Sequence, residues 1–206
     1  MDIGVYSYEN GGFNHSHEYL TPALLALLEK YHKDRKSRIF DLGCGNGSIA
    51  FFLFRKGYQV SGVDPSKEGI WHAKSEFPFL NLELGHSGDN LLERFGTFEF
   101  IYSLEVIEHV FDPFEFMKEI NSILNKGGYV VLSTPFHGYL KNLVLSIFNK
   151  WDKHFTALWR GGHIKFWSPS TLTQLLNESG FAVMEVKRIG RVPIIAKSMM
   201  VIAKKV

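Results

Sequence analysis

Ile39-Phe40-Asp41-Leu42-Gly43-Cys44-Gly45-Asn46-Gly47 is the stretch whose reading decides the fold. Its first four residues read as a strand, 38–42, and a helix is expected over 48–56. Between them stand three glycines within five residues. Glycine lets a backbone turn sharply and approach a ligand with no side chain in the way. One acid, Asp41, precedes the turn, and a second, Asp64, closes the next strand and is followed by Pro65.

Strands and helices alternate on both sides of this turn. Thr21-Pro22 reads as a helix start, with the helix ending near Tyr31. Strands are expected over 58–63, 80–84, 98–103 and 129–133. Helices are expected over 67–76, 90–95 and 113–124, the last stopped by Gly127-Gly128. That rhythm gives parallel βαβ units and a doubly wound α/β sheet. A helix over 170–179 then leads into strands over 181–188 and 198–203. Their connection is too short for a crossover helix, so this pair is expected to be antiparallel. The result is a mostly parallel, seven-stranded sheet in one domain spanning 1–206. An irregular arm, 1–20, precedes it, and a lid-like insert, 136–167, interrupts it. The insert is expected to hold a helix from 139 to 151 or beyond, with Leu140, Leu143, Val144 and Ile147 packed over the crevice. Leu145 and Phe148 fall off that stripe, so the segment is apolar on more than one side.

The chain has 206 residues, a formal net charge of +2 and one cysteine. This excludes an internal disulfide and a cysteine-only zinc site. It also gives no electrostatic case for nucleic-acid binding. No apolar run approaches the roughly 18–20 residues of a membrane span, and no basic segment with an apolar run opens the chain. A cytoplasmic protein is expected.

Three ligands suit a glycine turn between strand and helix. The dinucleotide fingerprint requires a third glycine three positions after the second, where Ser48 stands instead. A phosphate loop requires Gly-Lys-Ser/Thr, which is absent. S-adenosylmethionine carries no phosphate but has an amino-acid head and a ribose, and Asp64 offers two oxygens to the two ribose hydroxyls.

Asp41-Leu42-Gly43-Cys44-Gly45-Asn46-Gly47, Gly62-Val63-Asp64, the strand over 98–103 and Lys126-Gly127-Gly128 resemble the motifs of the class I S-adenosylmethionine-dependent methyltransferases. The resemblance runs from about 37 to 204. It implies a cofactor site of Asp41, Gly43, Cys44, Gly45, Asp64, Pro65 and Leu104. For the adenine contact, His86 or Ser87 is preferred to Asp89.

Beyond the fourth strand lies Glu105-Val106-Ile107-Glu108-His109. In a helix, Glu105, Glu108 and His109 share one face, and such a set can bind a divalent cation such as Mg2+. The alternative is a solvated helix face. His163, in Gly162-His163-x-x-Phe166, is expected to return to the same rim. This pairing resembles the ubiquinone-biosynthesis O-methyltransferase branch. It is also similar to the small-RNA 2′-O-methyltransferases, although the later segment has one histidine where those carry two. The implied activity is methyl transfer to a hydroxyl of a small molecule. His109 and His163 serve either as metal ligands or as general bases. The rival readings are RNA 2′-O-methylation and a non-catalytic S-adenosylmethionine-binding protein. The segment over 139–158 is a candidate for membrane-surface or dimer contact, and the arm residues His15, His17 and Tyr19 are expected at the surface, with closure over the site as the alternative.

Overall fold

A computed structural model of the chain describes residues 11–155, 158, 159 and 161–206; the first half of the expected arm lies outside them. Seven strands form one sheet: β1 (Arg38–Leu42), β2 (Gln59–Asp64), β3 (Asn81–Leu84), β4 (Phe98–Leu104), β5 (Leu124–Pro135), β6 (Phe181–Ile189) and β7 (Ser198–Lys205), in the order β3-β2-β1-β4-β5-β7-β6. The first five pair in parallel, and β7 runs antiparallel between β5 and β6. The central strands β1, β4, β5 and β7 carry long buried runs because both sheet faces are covered there. One face packs Leu20, Leu24, Ile49, Leu53, Ile70 and Tyr58 from the α1 (His17–Tyr31), α2 (Ser48–Arg55) and α3 (Lys67–Glu76) side. The other packs Leu91, Phe116, Ile120, Leu172 and Leu176 from α4 (Leu91–Phe95), α5 (Pro113–Ile123) and α8 (Pro169–Glu178).

Three sequence expectations are corrected. First, α1 starts at His17 and not at Thr21. The Asn14 side chain accepts from the Ser16 and His17 amides and organises the first turn, so Pro22 lies inside the helix and Thr21 on its buried face. Second, α5 ends at Ile123, and Gly127-Gly128 belongs to β5. A side chain at Gly128 would meet the Glu99 carbonyl oxygen at 2.8 Å. The glycine pair thus serves a register irregularity between β4 and β5, not a helix stop. Third, the insert helix is broken into α6 (Tyr139–Ile147) and α7 (Trp151–Phe155), with Asn149 between them at a φ of 48°.

The strand order reverses between β1 and β4. In open α/β sheets the ligand crevice lies at this point, beyond the carboxyl ends of the strands. β1 ends there in the glycine loop and β4 ends there at Leu104-Glu105.

Candidate active site

Asp64 is buried at the end of β2. Each of its oxygens accepts one backbone N–H, Oδ2 from Gly45 and Oδ1 from Ser66, both at 2.8 Å. A carboxylate has about four lone-pair positions, so one on each oxygen is left for a ligand. Burial raises its pKa, and the two amides oppose this. Gly43 has a φ of 96°, and a side chain there would meet Val106 Cγ2 at 2.4 Å. The glycine loop therefore rests directly on the segment that follows β4.

The other expected cofactor positions divide into two kinds. Asp41 and Cys44 are buried. Burial pushes the Asp41 carboxyl up to about 8, with the Tyr102 phenol opposing and the Asp64 charge adding. It also pushes the Cys44 thiol well up. Both side chains are thus turned into the protein interior beneath the loop. Pro65 is exposed beside Asp64, and Leu104 is half-buried. In the 85–89 turn the His86 imidazole is already engaged. Nδ1 accepts from the Gly88 amide at 2.9 Å, and Nε2 lies 3.1 Å from Asp89 Oδ1. Asp89 is further held by Arg94. Of the two preferred residues, Ser87 is the one without such ties among the described residues.

The second constellation is not the helix face expected from spacing. Glu105 has a φ of 55°, and only Ile107–His109 forms a turn, a single 3-10 turn. Glu105 therefore leaves the set. It accepts from Ser133 Oγ at 2.8 Å and from Ser198 Oγ at 3.2 Å, and Ser198 in turn lies 3.2 Å from the Tyr19 hydroxyl. Burial pushes Glu105 up to about 7 against those hydroxyls and the Lys141 charge. Glu108 is buried, and among the described residues neither of its carboxylate oxygens has a hydrogen-bond partner. Burial first and the Glu105 charge second raise its pKa well above the usual range. The contacts with its own amide and with Thr134 that oppose this fall short of hydrogen-bond geometry.

The insert does bring His163 to this point. The amides of Ile164 and Lys165 both donate to the Glu108 carbonyl at 3.0 Å, and Trp167 Nε1 donates to the Ile107 carbonyl at 3.3 Å. His109 Nδ1 donates to the Gly162 carbonyl at 3.2 Å. That bond places the ring proton on Nδ1 and leaves the Nε2 lone pair free. The ring centroids of His109 and His163 are 4.9 Å apart. Ligand atoms of Glu108, His109 and His163 all lie within 4.8 Å of one another. Burial lowers both imidazole pKa values, that of His163 to about 4, so both rings are neutral at pH 7.

Sequence reasoning missed three neighbours, His137, His154 and Ser198. His137 meets His154 edge to face at 5.3 Å between ring centroids, and Phe166 likewise at 5.0 Å. His137 follows β5 and so sits at the carboxyl rim, which was a usable signal. Ser198 opens β7, and an antiparallel strand begins where its parallel neighbours end. Tyr19 reaches the site through α1. It was expected to be a surface residue, with closure over the site as the alternative, as was His17, which is half-buried and bonds Ser48 Oγ through Nδ1 at 2.9 Å. His15 is exposed as expected.

The insert's polarity is the reverse of that expected. Leu140, Leu143, Val144 and Ile147 of α6 are exposed, Ile147 to 66%. The half-buried positions are Lys141, Asn142 and Leu145. No helix among the described residues is long and apolar enough to cross a membrane.

The sequence profile of a methyltransferase-domain family matches residues 13–186. The chain is 30% identical over 185 residues to a ubiquinone biosynthesis O-methyltransferase of Dinoroseobacter shibae, covering 82% of this chain and 71% of that one. It is 28% identical to one from Pelagibacter ubique, covering 86% and 79%. Among solved structures, an S-adenosylmethionine-dependent methyltransferase from Methanosarcina mazei matches with a TM-score of 0.64 at 23% identity, covering 87% and 97%. The magnesium protoporphyrin IX methyltransferase of Synechocystis with bound S-adenosylmethionine matches at 0.66 and 14%, covering 91% and 78%. The structural likenesses bear on the fold alone. Together with the glycine loop, Asp64 and the sheet order, the profile and the sequence relatives show that the chain belongs to the S-adenosylmethionine-dependent methyltransferases.

Proposed function

We propose that the protein methylates a hydroxyl of a small-molecule acceptor, with a divalent cation held by Glu108, His109 and His163. The observation that carries this reading is Glu108. A buried carboxylate with no hydrogen-bond partner among the described residues is costly unless something cationic pairs with it, and two neutral imidazoles converge on it. The His109 Nδ1 bond to Gly162 is the outer support that metal-ligating histidines usually have. Two imidazole nitrogens and one carboxylate oxygen favour a transition-series ion such as Mn2+, Fe2+ or Zn2+ over Mg2+, which prefers oxygen ligands. A cation there would lower the pKa of an acceptor hydroxyl and fix its oxygen. The lowered basicity of His109 and His163 argues against either as the general base, since a base works best with a pKa near the operating pH. Alignment beyond the glycine loop and exclusion of water supply the rest.

The test is methyl transfer to a panel of catechol and sugar hydroxyl acceptors, with and without chelator. Activity lost with chelator and restored by Mn2+ or Zn2+ supports the reading. Activity indifferent to both chelator and Glu108→Gln overturns the metal and leaves base catalysis.

We also infer contact of the lid with a membrane surface. The exposed apolar face of α6 is supported by contact with the Pro193–Ile195 turn, where Ile194 is 64% exposed, and such a patch marks an interaction surface. Co-sedimentation with anionic vesicles, reduced by Leu143→Lys, is the expected result; equal sedimentation of the variant overturns it.

A further inference from the structure

The turn over 85–89 is held from outside itself. It follows β3 at the carboxyl rim, and apart from Gly85 its residues are exposed or half-buried. Gly85 N donates to the Asp64 carbonyl at 3.1 Å, so the turn hangs directly on Asp64. Arg94 reaches it from α4. Nη2 donates to Glu83 Oε2 at 2.9 Å and to the Leu84 carbonyl at 3.1 Å, and Nη1 lies 3.4 Å from Asp89 Oδ2. One planar group thus grips the turn at its entry and at its exit. Asp89 passes the restraint inward. Oδ2 accepts from the His86 amide at 2.9 Å, and Oδ1 lies 3.1 Å from His86 Nε2. Gly85 leaves the space this needs, since a Cβ there would meet Arg94 Nη1 at 2.7 Å and Asp89 Oδ2 at 3.0 Å.

The element that carries Arg94 is itself anchored. Leu91 and Phe95 of α4 are buried in the core, and Leu91 N donates to Glu119 Oε1 of α5 at 2.8 Å. A staple that only stabilises the fold is the alternative. Arg94, Glu83 and Asp89 are all partly exposed, however, and exposed ion pairs add little to stability. Three acceptors gathered on one guanidinium at the ligand rim point to a task other than folding.

We propose that Arg94 is a positioning residue for the cofactor: by holding Asp89 and the Leu84 carbonyl, it fixes the 85–89 turn in the shape that reads the purine edge of adenine. This rests on the reading of the turn as the adenine contact, and it is independent of the metal and of the acceptor. Adenine presents a 6-amino donor beside an N1 acceptor. Hypoxanthine presents a 6-oxo acceptor beside an N1–H donor. Backbone groups of the turn distinguish the two only while their spacing is fixed, because hydrogen bonds weaken steeply with distance and angle.

The test titrates S-adenosylhomocysteine and S-inosylhomocysteine calorimetrically into the full chain and its variants. The unaltered chain is expected to prefer the adenosyl ligand by at least about ten-fold, in line with one or two hydrogen bonds gained in place of mismatched groups. Arg94→Met brings that ratio close to one, mainly by weakening the adenosyl ligand. Its melting temperature falls by no more than about 4 °C. Arg94→Lys, which keeps the charge and loses the fork, retains part of the preference. A ratio unchanged in Arg94→Met overturns the proposal. So does an equal loss of affinity for both ligands, which would make Arg94 a staple of the fold. Equal binding of both ligands by the unaltered chain removes the proposal alone, since there is then no purine reading to position. Binding of neither ligand removes the cofactor reading and the proposal with it.

Discussion

Gly43 and Val106 are locked together: a Cβ on Gly43 would lie 2.4 Å from Val106 Cγ2. The cofactor loop and the segment that leads to Glu108 are therefore one packed unit, and the space between them cannot widen without moving both. Gly43→Ala adds this clash to an unfavourable φ of 96°, which alone costs about 1–3 kcal/mol. A fall in melting temperature together with weaker S-adenosylmethionine binding is expected. Adding Val106→Ala should recover part of the stability and not all of it, because only the steric share is relieved. Full recovery would show that backbone strain plays no part.

Each Asp64 oxygen accepts one backbone N–H, from Gly45 or Ser66, and keeps a lone-pair position to spare. Asp64→Asn keeps one acceptor oxygen and loses the other along with the charge. Calorimetry should show S-adenosylmethionine affinity reduced about ten- to hundred-fold, the loss of one or two charge-assisted hydrogen bonds. Unchanged affinity would remove Asp64 from the ribose site.

The Glu105–Glu108 pair makes stability depend on pH in a fixed direction. Both carboxyls have folded-state pKa values above the unfolded one, Glu105 at about 7. The folded chain then binds more protons than the unfolded chain, so their contribution is fully present below about pH 4.5 and is lost as pH rises through the folded values. His17, His137 and His163, lowered to about 4, act the opposite way on the acid side. The comparison that isolates the acids is wild type against Glu108→Gln in chelator. The variant's advantage in melting temperature should be larger at pH 8 than at pH 5. A pH-independent gap would mean that Glu108 is not held protonated.

On the proposed metal reading, a cation bound by Glu108, His109 and His163 would stabilise the fold by mass action. At a concentration of one hundred times its dissociation constant the gain is about 2.7 kcal/mol. Melting the protein with and without Mn2+ or Zn2+ should show an upward shift, absent in His163→Ala. An equal shift in that variant would place the ion elsewhere.

The lid can be tested without any ligand. Had Leu143 and Ile147 been packed over the crevice, Leu143→Ser and Ile147→Ser would each cost about 2–5 kcal/mol. Exposed as they are, each should change stability by no more than about 0.5 kcal/mol in denaturant titration. A large loss would mean that α6 turns its apolar face inward.

The sequence by itself determined the order of elements, the glycine loop, the partner acid Asp64 and the antiparallel closing pair. Strand and helix periods are local, and a turn that needs three glycines advertises itself within a few residues. It also named Glu108, His109 and His163, because the carboxyl rim of a parallel sheet is where β4 had to end. Only the tertiary structure separated Glu105 from Glu108, since a positive φ at one residue broke a helix that spacing alone implied. It alone brought Tyr19 and Ser198 to Glu105 from opposite ends of the chain. And it alone decided which face of α6 turns inward. An apolar stripe tells where grease lies on a helix, but whether that stripe meets a core or the solvent depends on what stands opposite, and opposite α6 stands a crevice lined with histidines and carboxylates.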